Sequence, residues 1–318
     1  MAWRSVVISQ PARLSLVRGA MQIEQDAGTA KVPLEDISVL VIDQPQVTIT
    51  AQLLSHLAAA QIATITVGSD HCPNGVLLPF VPHSRALKIM QAQLALSVPT
   101  QKRLWQHIIK QKIHNQAQVL ERYGHEEAET LRLLASRVRS GDTENHEAQA
   151  AKRYFSVVFG AGFIRAQERF YNAAINYGYA CLRAAIARSL CAYGFLPAFG
   201  LHHCSELNTF NLADDLLEPF RPLLDAHVLK NFPQELADDL TPIHKATVVN
   251  ILHQDIATTS HQGKNSACTV LAAIDALVIS LSQIVQDTSP NAGINALELV
   301  MPCVTKILPS TADLFDAN

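Results

Sequence analysis

The sequence predicts an α+β protein: a small β-sandwich-like domain over residues 1–80, then a larger all-α domain over 85–308. Two observations carry this. Up to residue 80 the apolar residues come in short, β-branched, partly alternating runs punctuated by Gly19, Gly28 and Pro45. Beyond Pro79 and Pro82 the apolar period changes to that of helices, so residues 81–84 read as a linker and 309–318 as a loose tail. Charge divides in a similar way. Residues 1–200 carry 20 Lys and Arg against 14 Asp and Glu, and residues 201–318 carry 5 against 14.

In order, strands are expected at Ser5–Ser9, Arg13–Val17, Met21–Glu24, Ile37–Asp43, Val47–Thr50 and Ile62–Gly68, with Val76–Phe80 a further candidate. One helix, Ala51–Gln61, interrupts them. No glycine-rich phosphate loop follows any strand, which argues against a dinucleotide fold. Helices are then expected over Arg85–Ser97, Thr100–Tyr123 and Glu126–Arg139. A further helix ends at Phe155, capped by Asp142 or Thr143, and a long one runs Phe163–Leu190. The last three are Pro233–Leu240, Pro242–Gln262 and Ala267–Gln286.

The six cysteines form no C-x-x-C pair and no signal peptide is evident, which fits a reduced, cytoplasmic protein. The longest apolar run, Thr269–Val285, contains Asp275 and is too short and too polar to span a bilayer. The net charge of −3 excludes a histone-like polycation, so any nucleic-acid contact needs a local basic patch. Such a patch exists. Cys72–Leu120 contains no Asp or Glu but carries Arg85, Lys88, Lys102, Arg103, Lys110 and Lys112. The bland alternative is a solvated basic face without a partner.

The most chemical stretch is Gly200–Leu224, GLHHCSELNTFNLADDLLEPFRPLL. Asn211 stands where an N-cap is expected, and Leu212, Leu216, Phe220 and Leu223 follow at helical spacing. Asp214 and Asp215 lie about one turn from Glu218, and Pro219 should kink or end the helix there. Carboxylates so close repel unless a cation sits between them, and oxygen with imidazole ligands suits Mg²⁺ or Mn²⁺. The competing reading is an acidic first turn that suits the helix dipole. Glu147, on a separate helix, could join a histidine near 203 and the acidic cluster in a three-helix site, but spacing alone does not bring them together. A zinc site at His203 and Cys204, and a Ser-His-Asp triad, lack supporting motifs. His244, His253 and His261 read as packing or solvent-facing residues, and Tyr171, Tyr177 and Tyr179 as core or dimer contacts.

Several motifs carry a resemblance. WRSVVIS near the N-terminus, PLEDISVLVID at Pro33–Asp43 and HCPNG at His71–Gly75 resemble the β-domain of the CRISPR-associated adaptation integrase family. EAQAAKRYF at Glu147–Phe155 resembles that family's first metal-ligand helix. GLHH at Gly200–His203 and NLADDLLEPFRP at Asn211–Pro222 resemble its second and third ligand segments, closest to the short form of type II systems. The likeness spans nearly the whole chain.

The resemblance implies a β-domain that dimerises, an α-domain that catalyses, and ligands at Glu147, His203 and Glu218 with Asp215 lining the same site. His203 is chosen over His202 because its spacing to Glu218 fits the type II pattern; His202 is then a packing residue. Ala148 stands where many members have glycine. The implied reaction is metal-dependent endonuclease and integrase chemistry, in which a 3′-hydroxyl of captured DNA attacks a phosphodiester at the repeat. Arg221 is a candidate phosphate contact, with an ion pair to Asp215 or Asp225 as the alternative. Lys152 and Arg153 are placed similarly. The basic stretch Arg85–Lys112 would position DNA without reading its sequence. Implied partners are DNA (spacer precursor and CRISPR repeat), a second copy of the chain, a small dimeric adaptation protein and the type II RNA-guided effector nuclease, with no membrane. A non-catalytic DNA-binding assembly protein on the same fold is the other class. It would have no need for Glu147, His203 and Glu218 together.

Overall fold

A computed structural model describes residues 4–68, 73–78, 85–160, 162–165, 167, 169–234, 236, 239–259, 265–287 and 299–304. The expected linker and tail, together with Trp3, His71, Cys72 and His261, lie outside these residues.

The first part contains β1 (Arg4–Ile8), β2 (Arg13–Val17), β3 (Ala20–Gln25), β4 (Gly28–Pro33), β5 (Ile37–Ile42) and β6 (Thr48–Ile49). Helix α1 (Ala51–Ala59), β7 (Ala63–Val67) and β8 (Pro73–Leu77) follow. They make two four-stranded sheets, ordered β1-β5-β7-β8 and β4-β3-β2-β6. The tight β2–β3 hairpin turns on Arg18 and Gly19, both at positive φ (51° and 76°), the backbone that a two-residue hairpin demands. Thr50 caps α1 by accepting from the Leu53 N–H at 3.3 Å.

Strand β5 reads ISVLVI and buries both faces, as a central parallel strand should. Ile37 and Leu40 pack with Leu14, Met21, Leu53 and Leu57 between the sheets. Val39 and Val41, on the opposite face, join the core of the helical part. The first sheet is thus a shared wall. Lys245 and Asp43, both buried, tie the two parts together at 2.7 Å, and Ser5 Oγ lies 2.7 Å from His253 Nε2.

The second part holds α2 (Ala86–Leu94), α3 (Val98–Arg122), α4 (Glu127–Arg137), α5 (His146–Val158) and α6 (Phe170–Ala192). After these come α7 (Asn211–Leu217), α8 (Arg221–Asn231) and α9 (Pro242–Val249). The segment closes with β9 (Asp255–Thr259), β10 (Asn265–Thr269), α10 (Val270–Gln286) and β11 (Met301–Cys303). Helix α6 is buried along most of its length, with Tyr171, Tyr177 and Tyr179 in the core. At Gly178 a Cβ would stand 2.5 and 2.6 Å from the Leu224 methyls and 2.9 Å from Val248 Cγ1. Gly178→Ala is therefore expected to cost about 1–3 kcal/mol, read as a lower urea midpoint at unchanged slope. Among the described residues no helix is long and apolar enough to cross a membrane.

The α+β class holds, with corrections to individual elements. The second part is not all-helical, because β10-β9-β11 form a three-stranded sheet. The helix expected over Pro242–Gln262 stops at Val249. The β-branched DIATT segment pairs instead with β10 and β11, and the Thr258 and Ser266 hydroxyls meet across the ladder at 2.8 Å. Helix α10 starts three residues later than expected, capped by Thr269. The described residues of 233–240 form no helix. The long helix starts at Phe170 rather than Phe163, because Arg165 turns back to bond the side chains of Asn172 (2.7 Å) and Asn176 (2.8 Å).

Candidate metal centre

The α7–α8 segment is interrupted where Pro219 removes a ladder donor. Helix α7 ends at Leu217, Glu218–Phe220 form one 3-10 turn, and α8 begins at Arg221. That turn puts Glu218 at a break, facing α3. Asn115 on α3 fixes the approach: buried, it donates to the Pro219 carbonyl (2.8 Å) and the Pro302 carbonyl (2.9 Å). Asn211 is not the cap expected of it. It is the first helical residue, and its amide donates instead to the Ala198 and Ser205 carbonyls at 3.0 Å each.

Glu147 sits in the first turn of α5. The cap of α5 is Asn145, at φ 52°, not Asp142 or Thr143. Asp142 still contributes, its carboxylate accepting from the His146 and Glu147 N–H groups at 3.0 and 2.9 Å.

These two carboxylates converge on one point, and that point holds the ammonium of Lys112. Lys112 Nζ is 2.5 Å from Glu147 Oε1 and 2.5 Å from Glu218 Oε2. The contact with Glu218 Oε2 is an ion pair without hydrogen-bond angles, so that buried oxygen has no hydrogen-bond donor. Glu218 Oε1 accepts from Arg221 Nε at 2.8 Å. Burial pushes the Glu218 carboxyl up, but the Lys112 and Arg221 cations outweigh it and hold it at about 2. Burial alone would lower Lys112; Glu218 and Glu147 reverse that and raise it.

His203 is built from the other side. Asp215, fully buried, accepts from the backbone N–H groups of Leu201 (2.5 Å), His202 (3.1 Å) and His203 (3.1 Å), and pairs with His203 Nδ1 at 2.7 Å. Asp215 is therefore a backing group for the G-L-H-H loop, and the pairing leaves His203 Nε2 as the nitrogen for a ligand. The Asp215 hydrogen bond raises the His203 pKa. Gly200 is required by this wrap: a Cβ there would collide with the His203 carbonyl oxygen and stand 2.7 Å from Asp215 Oδ2. His202 packs, stacked on Trp105 at 4.1 Å and 5°, while His203 meets the same indole edge-on at 5.7 Å. Asp214 points away, to Arg183 and Asn208.

A polar cavity of about 260 Å³ opens beside the carboxylate pair, lined by Lys112, Glu147, Glu218, Arg221, Tyr179 and Asp225 among others. His203 is not on its wall, although the charge of Glu218 bears on it. Among the described residues no three His, Cys, Asp or Glu side chains already form a metal cage. The structure thus brings Glu147 and Glu218 together and sets His203, backed by Asp215, outside their cavity. Arg221 pairs with Glu218 rather than with Asp215 or Asp225, and its guanidinium lies 4.5 Å over the Tyr179 ring. Of the basic stretch, Arg85, Lys88, Lys102 and Arg103 are exposed and Lys110 is half-buried. Lys112 does not belong with them: it is buried between the glutamates and cannot contact DNA from that position.

Asp225, expected from the sequence only as an alternative ion-pair partner of Arg221, lies on the cavity wall. It accepts from the Tyr179 hydroxyl at 2.6 Å, and burial raises it from 3.8 to about 6 against that bond. The folded protein therefore holds this proton more tightly than the unfolded chain. Stability from this group is full below about pH 4, falls as pH rises to about 6, and is flat above. Asp225→Asn should remove a cost of about 3 kcal/mol at most at pH 8. Melts of both proteins should show a stabilised variant at pH 8 and a smaller gap at pH 5.

Taken together, these elements define a two-carboxylate cation site within a helical layer, behind a β-rich domain. The chain belongs to the CRISPR associated protein Cas1 family, which matches residues 5–241. It is 46% identical over 311 residues to the CRISPR-associated endonuclease Cas1 of Neisseria meningitidis serogroup C (strain 8013), covering 97% of this chain and 98% of that protein. Its fold is similar to that of a casposase bound to integration product, with TM-score 0.71, 18% identity, and 91% and 92% of the two chains covered. It is also similar to a chain of a Cas6-RT-Cas1–Cas2 complex, with TM-score 0.62, 16% identity, and 89% of this chain and 35% of that one covered.

Proposed function

We propose that this protein is a divalent-metal-dependent DNA endonuclease and integrase of CRISPR adaptation. The observation that carries the reading is the convergence of Glu147 and Glu218 on one buried cation position in a Cas1-family chain. The donor types suit Mg²⁺ or Mn²⁺: two converging carboxylates, and outside their cavity an imidazole whose Nδ1 is tied to a carboxylate, so that Nε2 can ligate once it reaches the ion. Glu147, Glu218 and His203 would hold the ion. When bound, it supplies Lewis acidity toward a phosphoryl oxygen and offsets charge in an in-line displacement.

The chain's own residues do the rest. Arg221 fixes the rotamer of Glu218, and Asp215 with Trp105 fixes the ring of His203. Asn115 holds α3 against the Glu218 turn. The reaction is a transesterification. A 3′-hydroxyl of captured DNA forms a bond to a repeat phosphorus and loses its proton, while the repeat's own P–O bond breaks and its departing oxygen gains one. No water is consumed. Joining a labelled 3′-hydroxyl duplex to a repeat-bearing plasmid tests this; product should form with Mn²⁺ and vanish with EDTA. Joining that persists in EDTA would contradict the reading.

The exposed cations of α2 and α3 suit the DNA backbone. Lys102 also accepts, through its carbonyl, from the Gly141 N–H at 3.0 Å, so it stands at the turn that leads into α5. Lys102→Glu with Arg103→Glu should weaken duplex binding by about tenfold or more across unrelated sequences, and lower the salt slope by roughly 1 for each phosphate the variant no longer neutralises. Anisotropy titrations at several salt concentrations check both. A Cas2-type partner, as in the similar complex, and a homodimer of this chain complete the proposed assembly.

A further inference from the structure

We propose that Lys112 is a built-in counter-cation of this centre: its ammonium occupies the position a divalent ion would take between Glu147 and Glu218, and it must be displaced for the ion to bind. This rests on the reading that the glutamate pair holds such an ion.

Three observations carry it. The ammonium touches one oxygen of each glutamate at 2.5 Å, Glu147 Oε1 and Glu218 Oε2. Arg221 already holds Glu218 Oε1, so Oε2 is the oxygen left for a cation. The lysine is also placed by the fold rather than by chance at the surface. It continues the apolar stripe of α3 through Trp105, Ile108 and Ile109, and is itself 7% exposed. A buried ammonium is costly unless paired, and two facing carboxylates repel unless bridged, so each side satisfies the other.

The charge balance then makes metal and DNA binding cooperative. Glu147, Glu218, Lys112 and Arg221 together are neutral. Adding a divalent ion leaves an excess of two positive charges, and each DNA phosphodiester drawn to the site offsets one of them. The adjoining cavity, which Lys112 itself lines, gives the displaced ammonium room. The metal-free chain is thereby kept from holding the ion firmly until DNA arrives.

The test is Mn²⁺ binding, followed by the EPR signal of free Mn²⁺, in full-length wild type, Lys112→Met and Glu147→Gln without DNA. The variant lacking the ammonium should bind Mn²⁺ on the order of tenfold more tightly than wild type, and Glu147→Gln more weakly. Equal or weaker binding by Lys112→Met, with Glu147→Gln still weakened, overturns the proposal and leaves the metal centre standing. Indifference of Mn²⁺ binding to Glu147→Gln sinks the metal centre and this proposal with it. Should Lys112→Met not fold, acetylation of Lys112 in wild type decides. Saturating Mn²⁺ should raise its labelling several-fold, and unchanged labelling at saturation overturns the proposal.

Discussion

Glu147→Ala is expected to reduce strand joining by at least about 10³-fold, because under the proposed function it removes a ligand from the charge-stabilising ion, a loss of several kcal/mol of barrier stabilisation. The fold should survive. Glu147 is partly exposed, and Lys112 keeps Glu218 as its partner after the substitution. Melting should therefore shift little while activity disappears. Activity equal to wild type would remove Glu147 from the centre. A parallel collapse of melting temperature and activity would mean that Glu147 is needed for folding instead.

The second large effect is expected at Asp215, where stability and chemistry should fall together. Its two oxygens take three backbone N–H bonds and the His203 ring nitrogen, all at 3.1 Å or less. Asparagine has one acceptor and one donor in the same place. Whichever way the amide turns, its NH₂ faces either Leu201 and His202 or His203. The loss of charge-assisted bonds to buried donors should cost about 2–4 kcal/mol. The same change frees the ring of His203, and metal affinity should drop roughly 10–100-fold. Calorimetric melts and Mn²⁺ titrations read the two effects separately. A variant that is destabilised but binds Mn²⁺ normally would show that Asp215 serves the loop and not the histidine.

Much of this is legible in the sequence, for identifiable physical reasons. Most of the β-rich first part is readable because short β-branched runs, separated by residues that accept positive φ, leave few other solutions; β4 is not, because GTAKVP is an exposed edge strand with no apolar alternation. The Glu218 break is readable because Pro219 cannot continue a ladder. The strands β9 and β10 are not, because DIATT sits between helical stretches and its partner β11 lies far along the chain; helix periodicity cannot see such a pairing. Asn211 has a capping side chain by type, but two distant carbonyls outcompete the local bond. Lys112 groups wrongly with the exposed cations because it lies in an acid-free run. The signal against that is its register with Trp105, Ile108 and Ile109, which points it inward. The meeting of Glu147 with Glu218 follows from no spacing rule. It arises because Asn115, the Pro219 turn and α5 pack from three parts of the chain.

In the proposed function Glu147, Glu218 and His203 hold one divalent ion. Anomalous scattering from crystals grown with Mn²⁺ tests it most directly. A single strong peak is expected roughly 2.1–2.3 Å from a carboxylate oxygen of Glu147, one of Glu218, and His203 Nε2. A peak bound elsewhere, or none at saturating Mn²⁺, would contradict it.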